Sequence, residues 1–129
     1  MRGARLEDEV TTRLLRAQAA GLADLMQCDA LLIGSPENFG FMAGAVKDFF
    51  DRTYYPAQAA GLLRPYALFI SAGNDGSGAV RQIERIARGY PLKKIAEPVI
   101  CRGPVDEAAL AACAELGQGI AAGLALGIY

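Results

Sequence analysis

Histidine and tryptophan do not occur in this 129-residue chain, cysteine occurs three times, and neither sign of charge prevails. Each shortage excludes a class of function. Without an imidazole every His-dependent catalytic triad is ruled out, and without clustered thiols the common zinc sites go with it. Cys28, Cys101 and Cys113 lie far apart among apolar neighbours, a placement that suits reduced core thiols better than a bridge or a metal cluster. Lys plus Arg number 13 against 14 Asp plus Glu, a formal charge of −1, so no basic field exists for nucleic acid or an anionic membrane. No apolar run approaches the roughly 20 residues of a membrane span, and the opening MRGARLEDEV contains no apolar signal region. These features imply a cytoplasmic protein. No side chain stands out as a catalytic acid or base, so redox or transfer chemistry here needs a borrowed cofactor.

What the chain does contain is apolar and periodic. A hydrophobic content of 53% is ample for one core, and residues 1–129 read as a single domain. In EVTTRLLRA, residues 9–17, Val10, Thr12 and Leu14 share one face, the pattern of an edge-type strand. Leu22, Leu25 and Met26 form a short helical stripe, and residues 30–33 are continuously apolar, as in a strand covered on both faces. From Phe41 the period changes: Ala43, Val46, Phe49 and Phe50 make a helical stripe, while Lys47 with Asp51 and Asp48 with Arg52 pair on its solvated face. Pro56 opens a connector, YALFIS at 66–71 reads as a second buried strand, and Val80, Ile83, Ile86 and Ala87 mark the next helix. EPVIC at 97–101 reads as the last strand, and Asp106 as the cap of the longest helix, striped by Ala109, Cys113, Leu116, Ile120 and Leu124. This alternation predicts an α/β fold with a parallel sheet between helices. Ligands in such sheets bind beyond the carboxyl ends of the strands.

Two loops follow strands at that end. In the first, GSPENFG, an apolar strand gives way to two Gly, a Pro, a Glu and an Asn before a helix. Ser35 and Asn38 offer side-chain hydrogen bonds, Pro36 stiffens the turn, and Phe39 or Phe41 suits the face of an aromatic ring. The same residue types also make an ordinary βα turn, and both readings stand. The second, AGNDGSG, has glycines at 73, 76 and 78, a spacing that matches neither the dinucleotide fingerprint nor a Walker loop. A helix N-terminus behind it suits an anion or a ring edge. Asp75 argues against a bare phosphate there and equally fits a turn-stabilising role.

The segment ALLIGSPENFGFMAGAVKDFFDR, residues 30–52, closely resembles flavodoxin-like proteins and NAD(P)H-dependent FMN reductases, in which a buried strand ends in a G-[ST]-P-x-x-x-G loop. The likeness continues through a helix of the form GAxKxFxDR to ALFISAGNDGSGA and covers essentially the whole chain. It implies a three-layer flavodoxin-like fold, a parallel sheet with helices on both faces. It also implies that Ser35, Pro36, Glu37, Asn38, Phe39 and Gly40 lie against the isoalloxazine ring of FMN. Ser71, Ala72, Gly73, Asn74, Asp75, Gly76 and Gly78 would then border its other side or edge. Glu37 and Asp75 become candidates for flavin or nicotinamide contact, with a solvated-loop role as the alternative.

The family resembled begins with a strand and a Ser/Thr-rich loop that cradles the FMN phosphate, whereas this chain starts in what matches the tail of the first helix. The expectation is therefore an N-terminally incomplete domain of about four strands. The missing strand is the central neighbour of residues 30–33 in the order 2-1-3-4-5. The function implied is an FMN oxidoreductase of the NAD(P)H-dependent FMN or quinone reductase type with impaired FMN binding. NAD(P)H would be its electron donor and a small molecule its acceptor. The alternative is a non-catalytic flavodoxin-fold remnant acting through association. An uncovered sheet edge recruits a partner, which leaves two routes: residues 9–17 pair with residues 30–33, or a second copy in a homodimer covers the edge.

Overall fold

The computed structural model describes Gly3 and residues 9–129. In chain order the elements are α1 (Leu22–Gln27), β1 (Leu31–Asn38), β2 (Phe41–Met42), α2 (Gly44–Ala59), β3 (Arg64–Ala72), α3 (Ser77–Ala87), β4 (Leu92–Lys94), β5 (Val99–Arg102) and α4 (Glu107–Ala125). β3 is the central strand. It pairs in parallel with β1 from Leu31 opposite Tyr66 to Pro36 opposite Ser71. On its other side β4 takes Arg64 to Tyr66 and β5 takes Phe69 to Ala72, so two short strands share one row. β2 is an antiparallel return from the end of β1. The α/β fold expected from the alternation is present, with five strands.

Periodicity explains the packing. Tyr66, Leu68 and Ile70 alternate onto one face of β3 and join Val46, Phe49, Phe50, Ala79, Ile83 and Leu25 in the main core cluster. α1, α2 and α3 therefore cover this face. α4 packs against β5, and its buried Ile120 and Ala121 stand outside that cluster. The Asp106 cap holds, accepting from the Ala109 N–H at 2.8 Å. Beneath α2 the Thr53 and Tyr90 hydroxyls lie 2.7 Å apart, with the Phe49 and Phe50 carbonyls as their other partners. Burial pushes the Tyr90 hydroxyl up to about 12.

Several expectations are corrected. α2 runs through Pro56 to Ala59, where a connector was expected; Ala57 behind the proline is fully buried and keeps the last turn on the core. β1 continues past Gly34 to Asn38, since a side chain at 34 would strike the Phe69 ring opposite it and glycine lets the two strands stay paired. The last strand is shifted to Val99–Arg102. α4 is long and apolar enough, by length and composition alone, to cross a membrane, because alanines and glycines keep it weakly apolar without an uninterrupted run. The three cysteines are free, as expected, but half-buried; burial pushes the Cys28 and Cys113 thiols up.

The largest correction concerns residues 10–16, which form no strand. Arg52 donates to the carbonyls of Ala17 (2.9 Å) and Ala20 (2.8 Å), and Arg13 reaches Asp24 at 3.0 Å. These contacts tie Arg13 to α1 and residues 17–20 to α2. Among the described residues no strand pairs with the outer edge of Leu31 to Ser35. A groove of about 1670 Å³ lies there, between residues 9–15, β1 and the α4 stripe of Cys113, Gly117 and Ile120. Residues 1–2 and 4–8, which the resemblance assigns to the tail of a first helix, lie outside the described residues.

Candidate functional site

The two loops singled out in the sequence meet at the carboxyl ends of β1 and β3. Ser35 is buried, and its hydroxyl accepts from the Ala43 N–H at 2.9 Å while donating to the Pro36 carbonyl at 2.8 Å. Its one proton is committed inside the chain, so it staples β1 to the start of α2 and has none to offer outward. Pro36 sits in the ladder opposite Ser71, a tolerable place for a residue without N–H on an edge strand. Asn38 then leads through Phe39 and Gly40 into β2, with φ of 53° and 77° at the two turn residues. Paired positive φ values are the type I′ hairpin geometry, whose usual sequence sign is Asn-Gly or Asp-Gly. Phe39-Gly40 lacks that sign, and the hairpin went unforeseen. A Phe in this region is held against its preference by roughly 1–2 kcal/mol, and its ring is wholly exposed.

Glu37 points the other way, into the second loop. Its Oε1 accepts from the Gly76 N–H at 3.0 Å and its Oε2 from the Ala79 N–H at 3.1 Å. Gly76, in the left-handed region, precedes α3. Gly78 lies so close to the hairpin that any side chain would strike the Gly40 carbonyl. Asp75 holds the next amide: its carboxylate accepts from the Ser77 N–H (3.2 Å) and hydroxyl (2.8 Å), bonds that lower its pKa. Arg102 at the end of β5 donates to the Asp75 carbonyl at 2.8 Å.

The amides of Gly76, Ser77 and Ala79 are thus taken by the chain's own carboxylates. The expectation that this helix start could take an anion is corrected, since two negative groups already occupy it. Asp75 bonds within its own turn, the geometry that its turn-stabilising reading requires. Ala72, Gly76 and Gly78 are buried, while Asn38, Phe39, Gly40, Ser71, Gly73, Asn74 and Asp75 are exposed around the junction. Ala79 and Arg102 were missed by sequence reasoning. Neither sits in a polar loop motif, and each contributes through a partner more than 25 residues away.

Comparison with known proteins matches residues 12–90, more than half of the chain and both loops, to the family described as NADPH-dependent FMN reductase. Among solved structures, a flavodoxin from the domain Archaea is similar at a TM-score of 0.76 and 21% identity, with 92% of this chain and 80% of that one covered. The rubredoxin oxygen:oxidoreductase of Desulfovibrio gigas gives 0.75 at 18% identity; 98% of this chain is covered, and the chain spans only 33% of that protein. A flavodoxin, WrbA-like protein from Agrobacterium tumefaciens gives 0.68 at 16% identity over 77% of this chain and 68% of the other. At these identities the structural likenesses establish the fold.

Proposed function

The chain belongs to the NADPH-dependent FMN reductase family, and from that premise we propose that it is a flavodoxin-like FMN oxidoreductase domain holding the ring end of the flavin where its two loops meet. The observation that carries this is the junction itself: the β1–β2 hairpin and residues 73–76, joined at the carboxyl ends of adjacent parallel strands, leave Asn38, Phe39, Gly73 and Asn74 exposed around one edge. When bound, FMN supplies hydride and electron transfer between NAD(P)H and a small-molecule acceptor. The Asn38 and Asn74 amides would bind the polar rim of the ring, Gly73 would leave room for its approach because nothing stands within 4 Å of that glycine's Cβ position, and the exposed Phe39 ring would shield it from water. A cytoplasmic location belongs to the same proposal.

The phosphate end fits less well. Among the described residues the first turn of α3 is filled by Glu37 and Asp75, and that of α4 by Asp106, whereas α2 has neither a side-chain cap nor an acidic residue in its first turn. Impaired FMN binding is part of the proposal: a cradle short of several charge-assisted bonds of about 1.5–3 kcal/mol each would hold FMN about a hundredfold or more less tightly. The test is titration of FMN and of riboflavin against the protein, followed by flavin fluorescence. Both should bind, with dissociation constants within about threefold of each other, since the phosphate adds little. If neither quenches, the FMN-domain proposal fails. The occupied starts of α3 and α4 favour a second reading, a non-catalytic remnant of the fold acting through association. Colourless purified protein indifferent to added FMN would support it.

A further inference from the structure

We propose that Glu37 is a positioning residue that joins the two loops into one rigid cleft and does not itself contact the ligand. Its two carboxylate oxygens accept from Gly76 and Ala79, amides on either side of Gly78, so the group straddles the first turn of α3 from a different strand. An anion at a helix N-terminus is favoured by the amides it satisfies and by the helix dipole. α3 has no side-chain cap from its own N-cap residue, Gly76. Glu37 supplies that cap from 39 residues away.

Two features make the contact a device for spacing as well as a cap. The absent side chain at Gly78 lets the hairpin backbone at Gly40 lie directly on α3. On its far side the second loop is held by Arg102 through the Asp75 carbonyl. The loop is thus pinned by β5 on one side and by Glu37 on the other, which sets the separation between the Asn38–Phe39 edge and the Gly73–Asn74 edge. Without the carboxylate, the Gly76 and Ala79 amides are left half-buried and unpaired, and the loop loses its hydrogen bonds to β1 while keeping the Arg102 anchor. Glutamine can keep one of the two bonds and not both, because its NH₂ would face the other N–H. Only the consequence for ligand binding rests on the FMN reading.

The direct test uses the ligand-free full chain. Through-hydrogen-bond NMR couplings should link the amide nitrogens of Gly76 and Ala79 to the Glu37 side-chain carboxyl carbon, and their absence would overturn the proposal with no variant needed. In Glu37→Gln, protection of at least one of those two amides against hydrogen exchange should fall at least about tenfold, while Phe69 and Ile70 in β3 keep theirs. Unchanged protection at Gly76 and Ala79 would also overturn it. FMN titrated into the variant should bind about tenfold more weakly than into the parent chain. Lost protection with unchanged FMN affinity would show that the latch does not set the cleft. If the parent chain binds no FMN, the fault lies with the FMN reading, and the couplings and exchange data still decide the role of Glu37.

Discussion

The two edges of β1 carry the same backbone and the same short apolar run, yet they meet opposite surroundings. The inner edge runs beside β3 for six residues above a core of Phe49, Phe50, Leu68 and Ile83. The outer edge opens on the groove, where Val10, Leu14 and Leu15 approach without pairing. A continuous apolar strand thus advertises that it wants two neighbours and cannot say whether it has them. On the inner side burial and the ladder reinforce each other. On the outer side no strand among the described residues completes the ladder, and an edge of N–H and C=O groups along a buried-type strand invites another strand.

The contrast is broken most strongly by truncating the packed side. Phe50→Ala removes a side chain that is 1% exposed and should cost about 3–5 kcal/mol in denaturant unfolding, whereas Leu14→Ala at the groove, 65% exposed, should change stability by less than about 0.5 kcal/mol. Equal losses would mean that the groove is closed in solution. Hydrogen exchange sharpens the same point. Phe69, Ile70 and Ser71, paired on both sides, should all be protected, while Leu32 and Gly34 should differ from Ile33 by about a hundredfold or more, because alternate amides of an edge strand face outward. Uniform protection along β1 would show its outer edge covered.

A smaller effect is expected from Arg52→Ala, which cuts residues 17–20 loose from α2. Two charge-assisted bonds to carbonyls, discounted for an Arg side chain 39% exposed, amount to about 1–2 kcal/mol. The variant also asks whether the freed segment moves onto β1, which new protection at its outward amides would reveal. Among the variants expected to destabilise measurably, Tyr90→Phe comes last, at about 1 kcal/mol at neutral pH. Here pH gives a second readout. The folded tyrosine ionises at about 12, against about 10 when unfolded. Between these values the folded state holds the extra proton, so stability is level below pH 10 and falls as pH rises toward 12. The phenylalanine variant should lack that part of the alkaline loss, and an identical profile would remove Tyr90 as its source.

Most of the framework was legible in the chain. The helical stripe at Val46, Phe49 and Phe50, the stripe at Ile83 and Ala87, the apolar strands at residues 30–33 and 66–71 and the Asp106 cap all rest on short-range patterns, and these are present. Both loops were located for the same reason. The side-chain roles inside them were not. Glu37 looked like a solvated loop acid or a ligand contact because its partners, Gly76 and Ala79, are backbone amides that carry no sequence signature. Arg52 looked like the exposed partner of Asp48, which it is, but its guanidinium also bonds two carbonyls more than 30 residues earlier. Pro56 was read by its usual preference, and burial of Ala57 overrode it.

By itself the sequence determined the alternation of strands and helices and the apolar faces they bury. It also placed the Gly-rich loops at the ends of β1 and β3, since periodicity and glycine freedom act over a turn or a few residues. Only the tertiary structure decided that residues 10–16 stay out of the sheet, that α3 is capped from β1, and that one edge of β1 borders a groove. The physical reason is that a strand's hydrogen bonds and a carboxylate's acceptors are satisfied by groups distant in the chain. Several partners compete for each, and the winner is set by where Arg52, Arg13, Gly34 and Gly78 allow the backbone to lie.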